Sequence, residues 1–177
     1  MGHVFARLAG YGMAVVPHWP YTVERDGGGS DAVRVTRWSA TGPEHAVVTT
    51  DRAPDVRWPV GFRLESGNDP GDRTLFYLLG GADEAIFPQG PVPRVRLAAP
   101  DALAAPGQTV VDRRVDGDGV GVTELGYEHG GEPWWQAHWT VAWDEHRFLV
   151  VTAQAPATHA DHTRVAAAEV AESMIRT

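Results

Sequence analysis

The segment Trp134-Trp135-Gln136-Ala137-His138-Trp139-Thr140-Val141-Ala142-Trp143 constrains this chain more than any other. It holds four of the seven tryptophans within ten residues. Trp135, Ala137, Trp139, Val141 and Trp143 fall on one face, and Gln136, His138, Thr140 and Asp144 on the other. A period of two is the period of a β-strand. A tight polar turn and a second apolar strand, Arg147 to Gln154, follow. The chain then closes with an amphipathic helix in which Ala166, Val170, Ser173 and Met174 share a face, Val165 and Ile175 lie beside them, and Glu169, Glu172 and Arg176 fill the wet side. Thr158 is the predicted cap, with Asp161 in the capping-box position.

The rest of the chain is punctuated by Gly, Pro and Asp, which favours many short strands. Strands are predicted at Met13 to Val16, Ala32 to Trp38, His45 to Thr50, Val60 to Leu64 and Thr74 to Leu79, the last fully buried. Asp51 to Pro59 reads as polar and broken by Pro54. Pro88, Pro91 and Pro93 make their stretch an edge strand or connector, with pairing possible over Val92 to Leu97. Pro100 to Ala105 suits one short helix. Val110 to Glu128 reads as two strands around Asp116-Gly117-Asp118-Gly119, a hairpin turn. The predicted fold is α+β: a mostly antiparallel sheet with the C-terminal helix packed on it, as a single domain over residues 1–177.

Composition removes several classes of function. With 177 residues the chain has length enough for its own core. It has no cysteine, so disulfides, thiolate catalysis and Cys-type zinc sites are excluded. All 15 basic residues are arginine, which excludes a Schiff-base or P-loop lysine. That skew matches the codon bias of a GC-rich genome. A net charge of −8 argues against nucleic acid or an anionic membrane as partner and suits a cationic protein. No stretch is apolar enough to span a bilayer. Glycines interrupt the first residues, unlike a signal peptide. The expected location is cytoplasmic, the mature part of an exported precursor being the alternative.

The run Phe148-Leu149-Val150-Val151-Thr152-Ala153, the ending Ala171-Glu172-Ser173-Met174-Ile175, and Phe87-Pro88 before Val92-Pro93-Arg94-Val95 resemble the closing part of the PsbP-like α/β/α sandwich superfamily, which includes the DcrB-like and LpqN-like groups. The resemblance covers the C-terminal part, and the lipoprotein cysteine common in the LpqN-like group is absent. It implies a sandwich fold and a binding or accessory role, and it supplies no catalytic residues.

Candidate sites follow from the residues. His159 and His162 flank Asp161 at helical spacing and would need His129 or His146 as a further metal ligand; solvated first-turn residues are the simpler reading, and no metal site is predicted. His138 sits mid-strand beside Gln136 and Thr140, as a general base if its face lines a cleft, or as an ordinary surface or buried histidine otherwise. Trp135, Trp139 and Trp143 are expected to be core rather than an aromatic wall. Trp134, at the strand's entrance, joins Trp19 or Trp58 as a candidate exposed anchor for a partner. Asp112, Asp116, Asp118 and Glu124 fail the EF-hand register. Gly117, Gly119 and Gly121 fail the dinucleotide fingerprint. None of Ser30, Ser39, Ser66 and Ser173 sits in a nucleophile elbow. Asp83-Glu84 and Asp144-Glu145 read as turn residues.

The expected function is a non-catalytic binding or accessory protein acting through a protein surface, such as a secretion chaperone or toxin-immunity partner. Trp19, Trp58 and Trp134 are its anchors, and no cofactor is needed. The alternatives are a cofactor-independent small-molecule enzyme, or a carrier of a hydrophobic ligand, using a tryptophan-lined cavity with His138.

Overall fold

The computed structural model describes residues 3–8, 12–17, 24–26, 34–35, 45–50, 53–59, 61–65, 74, 77–99 and 101–175, with side chains described at 57, 59, 61–62, 74 and throughout the last two ranges. Strands β1 (His3–Leu8), β2 (Gly12–Pro17) and β3 (Glu24–Asp26) form one small sheet. Strands β4 (Arg34–Val35), β5 (His45–Thr50) and β6 (Ala53–Pro59) form a second. The main sheet takes β7 (Arg63–Glu65), β8 (Tyr77–Leu79), β9 (Ala85–Pro93), β10 (Thr109–Val115), β11 (Gly121–His129), β12 (Glu132–Ala142) and β13 (Arg147–Pro156). Its seven strands run in the order β10-β11-β12-β13-β9-β8-β7, and its pairings are antiparallel. One helix, α1 (Ala160–Ser173), packs on it. The fold is α+β.

The tryptophan strand is β12, between β11 and the central strand β13. Its register sets Trp139 opposite Val122 and Val151, and Trp135 opposite Gly126 and Ala155. Those residues face α1. The helix answers with small side chains: Ala160, Ala166, Ala167, Val170 and Ala171 are buried with Trp135 and Trp139 in one core. Large rings on the sheet and alanines on the helix allow close approach at interior packing density. Burying one such indole contributes about 2–3 kcal/mol. Trp143 lies just past the strand and packs against the same core.

Several sequence expectations are corrected. Thr158 does not cap α1; it lies in a 3-10 turn, Ala157–His159, and the N-cap is His159, with no side-chain cap bond. Pro156 (φ −51°) turns the chain into that tight segment. Val165 is exposed, not core-flanking. Asp51 to Pro59 contains strand β6, which pairs with β5. Of Thr74 to Leu79, strand is described at Tyr77–Leu79, where Leu78 alone is fully buried. The expected strands at Ala32 to Trp38 and Val60 to Leu64 are described as strand only at Arg34–Val35 and Arg63–Glu65.

The proline-rich stretch is a strand rather than a connector. It is β9, paired along its length with β13. Among the described residues β8 pairs with β9 only at Ala85 and Ile86, and Pro88, Pro91 and Pro93 fall beyond that pairing, as an edge position of proline allows. The register shifts opposite Leu149. There Gly90 adopts φ +117°, and a Cβ on it would stand 3.0 Å from the Phe148 carbonyl oxygen. That position requires glycine.

Asp101 to Ala105, the described part of the expected helix, is not helical. Arg94–Leu97 forms a 3-10 turn instead, and the chain then runs through single turns closed by Ala102 to Ala99, Ala104 to Asp101 and Gln108 to Ala105. The interval between Pro100 and Pro106 is too short to repay helix nucleation. An α/β/α sandwich carries helices on both faces; here the connector 94–108 covers part of the second face.

Candidate functional site

The two faces of the main sheet present different chemistry. On the helix face a buried carboxylate organises the polar groups. Glu124, 6% exposed, lies opposite Ala137 in the ladder. It accepts from the Trp135 indole N–H at 2.8 Å, from Arg114 at 2.8 Å and from Arg164 at 3.0 Å. Burial opposes its charge, but these donors prevail and hold its carboxyl below the usual range. Arg164 also stacks over the Trp135 ring at 5.0 Å and pairs with Asp161. Asp112 and Asp116 bind Arg114. These acids are structural partners of arginine.

Glu84 lies in the β8–β9 turn, as expected, its carbonyl accepting from Gly80, and it has a second role. It is 5% exposed and ties the β8–β9 turn to the start of α1. His162 Nδ1 lies 2.5 Å from its Oε1, and the Thr163 hydroxyl donates to the same oxygen at 2.8 Å. Burial opposes ionisation here too, yet those bonds and the charges of His162 and His159 leave the carboxyl lowered. The His162 ring stacks on Phe62 at 5.7 Å. Gly80 is required beneath this group, because a Cβ there would stand 2.6 Å from Glu84 Oε2. Among the described residues no three His, Cys, Asp or Glu side chains converge as a metal site.

The second face carries Trp134, Gln136, His138 and Thr140 in order along β12. A hydrogen-bond ladder crosses its middle. The Ala105 backbone N–H donates to Gln108 Oε1 at 2.8 Å, and Gln108 Nε2 donates to Gln136 Oε1 at 2.8 Å. Gln136 Nε2 then meets His138 Nε2 at 2.9 Å, and His138 Nδ1 meets Thr152 Oγ1 at 2.9 Å. The first donor is a backbone amide, so it fixes the direction of every following bond. His138 must accept at Nε2 and donate from Nδ1. It is neutral, its pKa lowered to about 4 mainly by burial, with the Leu103 backbone acting in the opposite direction. With both ring nitrogens engaged, His138 pins the connector to the sheet and has no lone pair for a substrate. The sheet itself stands between His138 and the Trp135 and Trp139 rings, so they cannot wall one cavity.

Cavities flank the ladder on both sides. Toward the start of β12, a cleft of about 520 Å³ is bordered by Trp134, His129, Asp83, Glu84 and Gln154. Trp134 is half-buried, with His129 edge-on at 5.4 Å and Tyr127 tilted at 6.1 Å. Asp83 is exposed with φ +57°, the left-handed region. Toward the end of β12, a second cavity of about 320 Å³ lies between the connector and strands β10 to β12.

No protein-family model and no curated protein matches this chain. Among solved structures the chain is similar to the crystal structure of LpqN, involved in cell envelope biogenesis of Mycobacterium tuberculosis. The identity is 20% and the TM-score 0.47, over 69% of this chain and 83% of that one.

Of the residues singled out from sequence, Trp135, Trp139 and Trp143 belong to the core, His138 to the ladder and Trp134 to the cleft. His129 stands against Trp134, and His146 lies in the β12–β13 turn, its N–H donating to Asp144 at 2.9 Å. Trp58 sits in β6 opposite Ala46, and its side chain lies outside the described residues, as does Trp19 altogether. Sequence reasoning missed Gln108, Thr152, Glu84, Arg113 and Thr123. Only the polar alternation along β12 signalled the ladder; the rest depends on cross-strand register.

Proposed function

We propose that this chain is a non-catalytic accessory protein that binds a partner protein, and that a basic side chain of the partner docks in the Trp134 cleft. The observation that carries this reading is the pairing of a half-exposed indole with an exposed carboxylate, Asp83, at one cleft. An aromatic face attracts a guanidinium or ammonium, and Asp83 adds the complementary charge. The net charge of −8 favours encounter with a basic partner. Against catalysis, His138 is neutral and fully bonded, and Glu84 and Glu124 are committed to ion pairs. Chaperoning an export client and neutralising a toxin are both roles of this kind.

The test is a titration with an arginine-rich octapeptide and with its glutamate-rich counterpart, followed by NMR of the labelled chain. The basic peptide is expected to shift Trp134 and His129, and Trp134→Ala to abolish those shifts while the fold persists. Trp58→Ala and Trp19→Ala test the other two anchors in the same assay. Equal response to both peptides, or full binding by Trp134→Ala, would overturn the reading.

A further inference from the structure

The cavity at the far end of β12 points to a second ligand, independent of the cleft. We propose that it binds a small monocarboxylate with a compact apolar body, held by Arg113 and Thr123.

The ladder register places Arg113 directly opposite Thr123 on neighbouring strands, and both line the cavity. Directly opposed residues on one face hold their Cβ atoms about 5 Å apart. Thr123 is 6% exposed, and its hydroxyl has no hydrogen-bond partner among the described residues. A buried hydroxyl left unpaired is costly and calls for a partner. The other threonines of this face are satisfied: Thr140 donates to the Gly121 carbonyl and Thr152 bonds His138.

Arg113 differs from its neighbour in the same way. Arg114 is held by Asp112, Asp116 and Glu124, which raise its pKa. Arg113 is exposed and has no acidic partner among the described residues. Among the described residues no carboxylate lines the cavity, in a chain whose net charge is −8. The site therefore offers a guanidinium fork at its mouth and one hydroxyl donor below. That donor set matches the two oxygens of a carboxylate. A dianionic phosphate would call for more than one free cation.

Apart from Arg114 and Thr140, which are already paired, the remaining described wall is apolar. Leu97 and Leu103 come from the connector and Phe148 from β13. The Arg94 guanidinium covers the Phe148 ring at 4.8 Å, closing that side. A volume of about 320 Å³ lies at the small end of ligand sites, which fits a ring or short branched chain rather than a long tail.

Calorimetric and NMR titration of the full chain with phenylacetate, phenylacetamide and inorganic phosphate tests this directly. Phenylacetate is expected to bind and to shift Thr123 and Phe148, with phenylacetamide at least about tenfold weaker, the loss of one charge-assisted contact. Arg113→Gln is expected to weaken phenylacetate by about tenfold or more with unchanged melting temperature. Thr123→Val, which removes only the unpaired hydroxyl, is expected to leave the melting temperature equal or higher and to weaken binding several-fold. Absence of phenylacetate binding overturns the proposal, as does equal binding by Arg113→Gln. Phosphate binding as tight as phenylacetate overturns the assigned ligand class. Trp134→Ala is expected to leave phenylacetate binding intact, so the cleft and the cavity fail or stand separately.

Discussion

The two faces of the main sheet are closed in opposite ways. The helix face is sealed by shape: the Trp135 and Trp139 rings meet alanines of α1, and its largest polar group, Glu124, is saturated by three donors. The second face is sealed by hydrogen bonds, because the connector 94–108 is too irregular to present an apolar stripe. A ladder through Gln108, Gln136, His138 and Thr152 fastens it at the middle only. Cavities remain on both sides of that fastening. The lesson is that one β-strand can build a dry core with its odd residues and a wet, ligand-accessible surface with its even ones. Stability resides mainly on the first face, and the proposed recognition on the second.

Substitutions can break that contrast, and the largest effect belongs to the core. Trp139→Ala is expected to cost about 3–5 kcal/mol, from lost burial plus the cavity left beside the helix. Urea denaturation would measure it.

The next effect is a pH dependence from His138. Its folded value, about 4, lies below its ordinary 6.5. The unfolded chain therefore takes up the proton first as pH falls. Stability from keeping it neutral is complete above about pH 6.5 and is lost as pH falls from there toward 4, by about 3 kcal/mol in total. Asn at this position should remove that slope between pH 6.5 and 4.5. Glu84 and Glu124, with lowered values, contribute only at more acidic pH.

Glu124→Leu should cost about 2 kcal/mol, because the abandoned Arg114 and Arg164 are a third or more exposed and keep part of their hydration. Thermal melts at high and low salt would separate the charge from the packing. Smallest of all, Trp134→Ala should change stability by less than about 1 kcal/mol while abolishing response to the basic peptide. A large loss of stability there would erase the distinction between the faces.

Much of this arrangement was legible in the residues, and the reasons it was or was not are physical. The alternation through Trp143 fixed β12 and its two faces, because a strand's period is local information. The hairpin at Asp116 to Gly119 was legible for the same reason. Pro88, Pro91 and Pro93 pointed to an edge strand or a connector, and the strand is found: β13 pairs with one side, and among the described residues nothing pairs with the other over those prolines. Thr158 misled because a capping pattern says nothing of the Pro156 turn before it. The sites were hardest to see. Glu84 becomes a buried ion-pair partner through His162, and Arg113 meets Thr123 through register, contacts that no local pattern encodes. Trp134 alone among the anchors was placed from alternation and found at a cleft.

Solvent contact at the individual indoles tests the central claim most directly. With 5-fluorotryptophan incorporated, and resonances assigned by single Trp→Phe replacements, the 19F shift difference between H2O and D2O reports exposure ring by ring. Trp135 and Trp139 should show no solvent isotope shift and Trp134 a clear one. A solvent shift at Trp139 comparable to that at Trp134 would contradict a dry helix face.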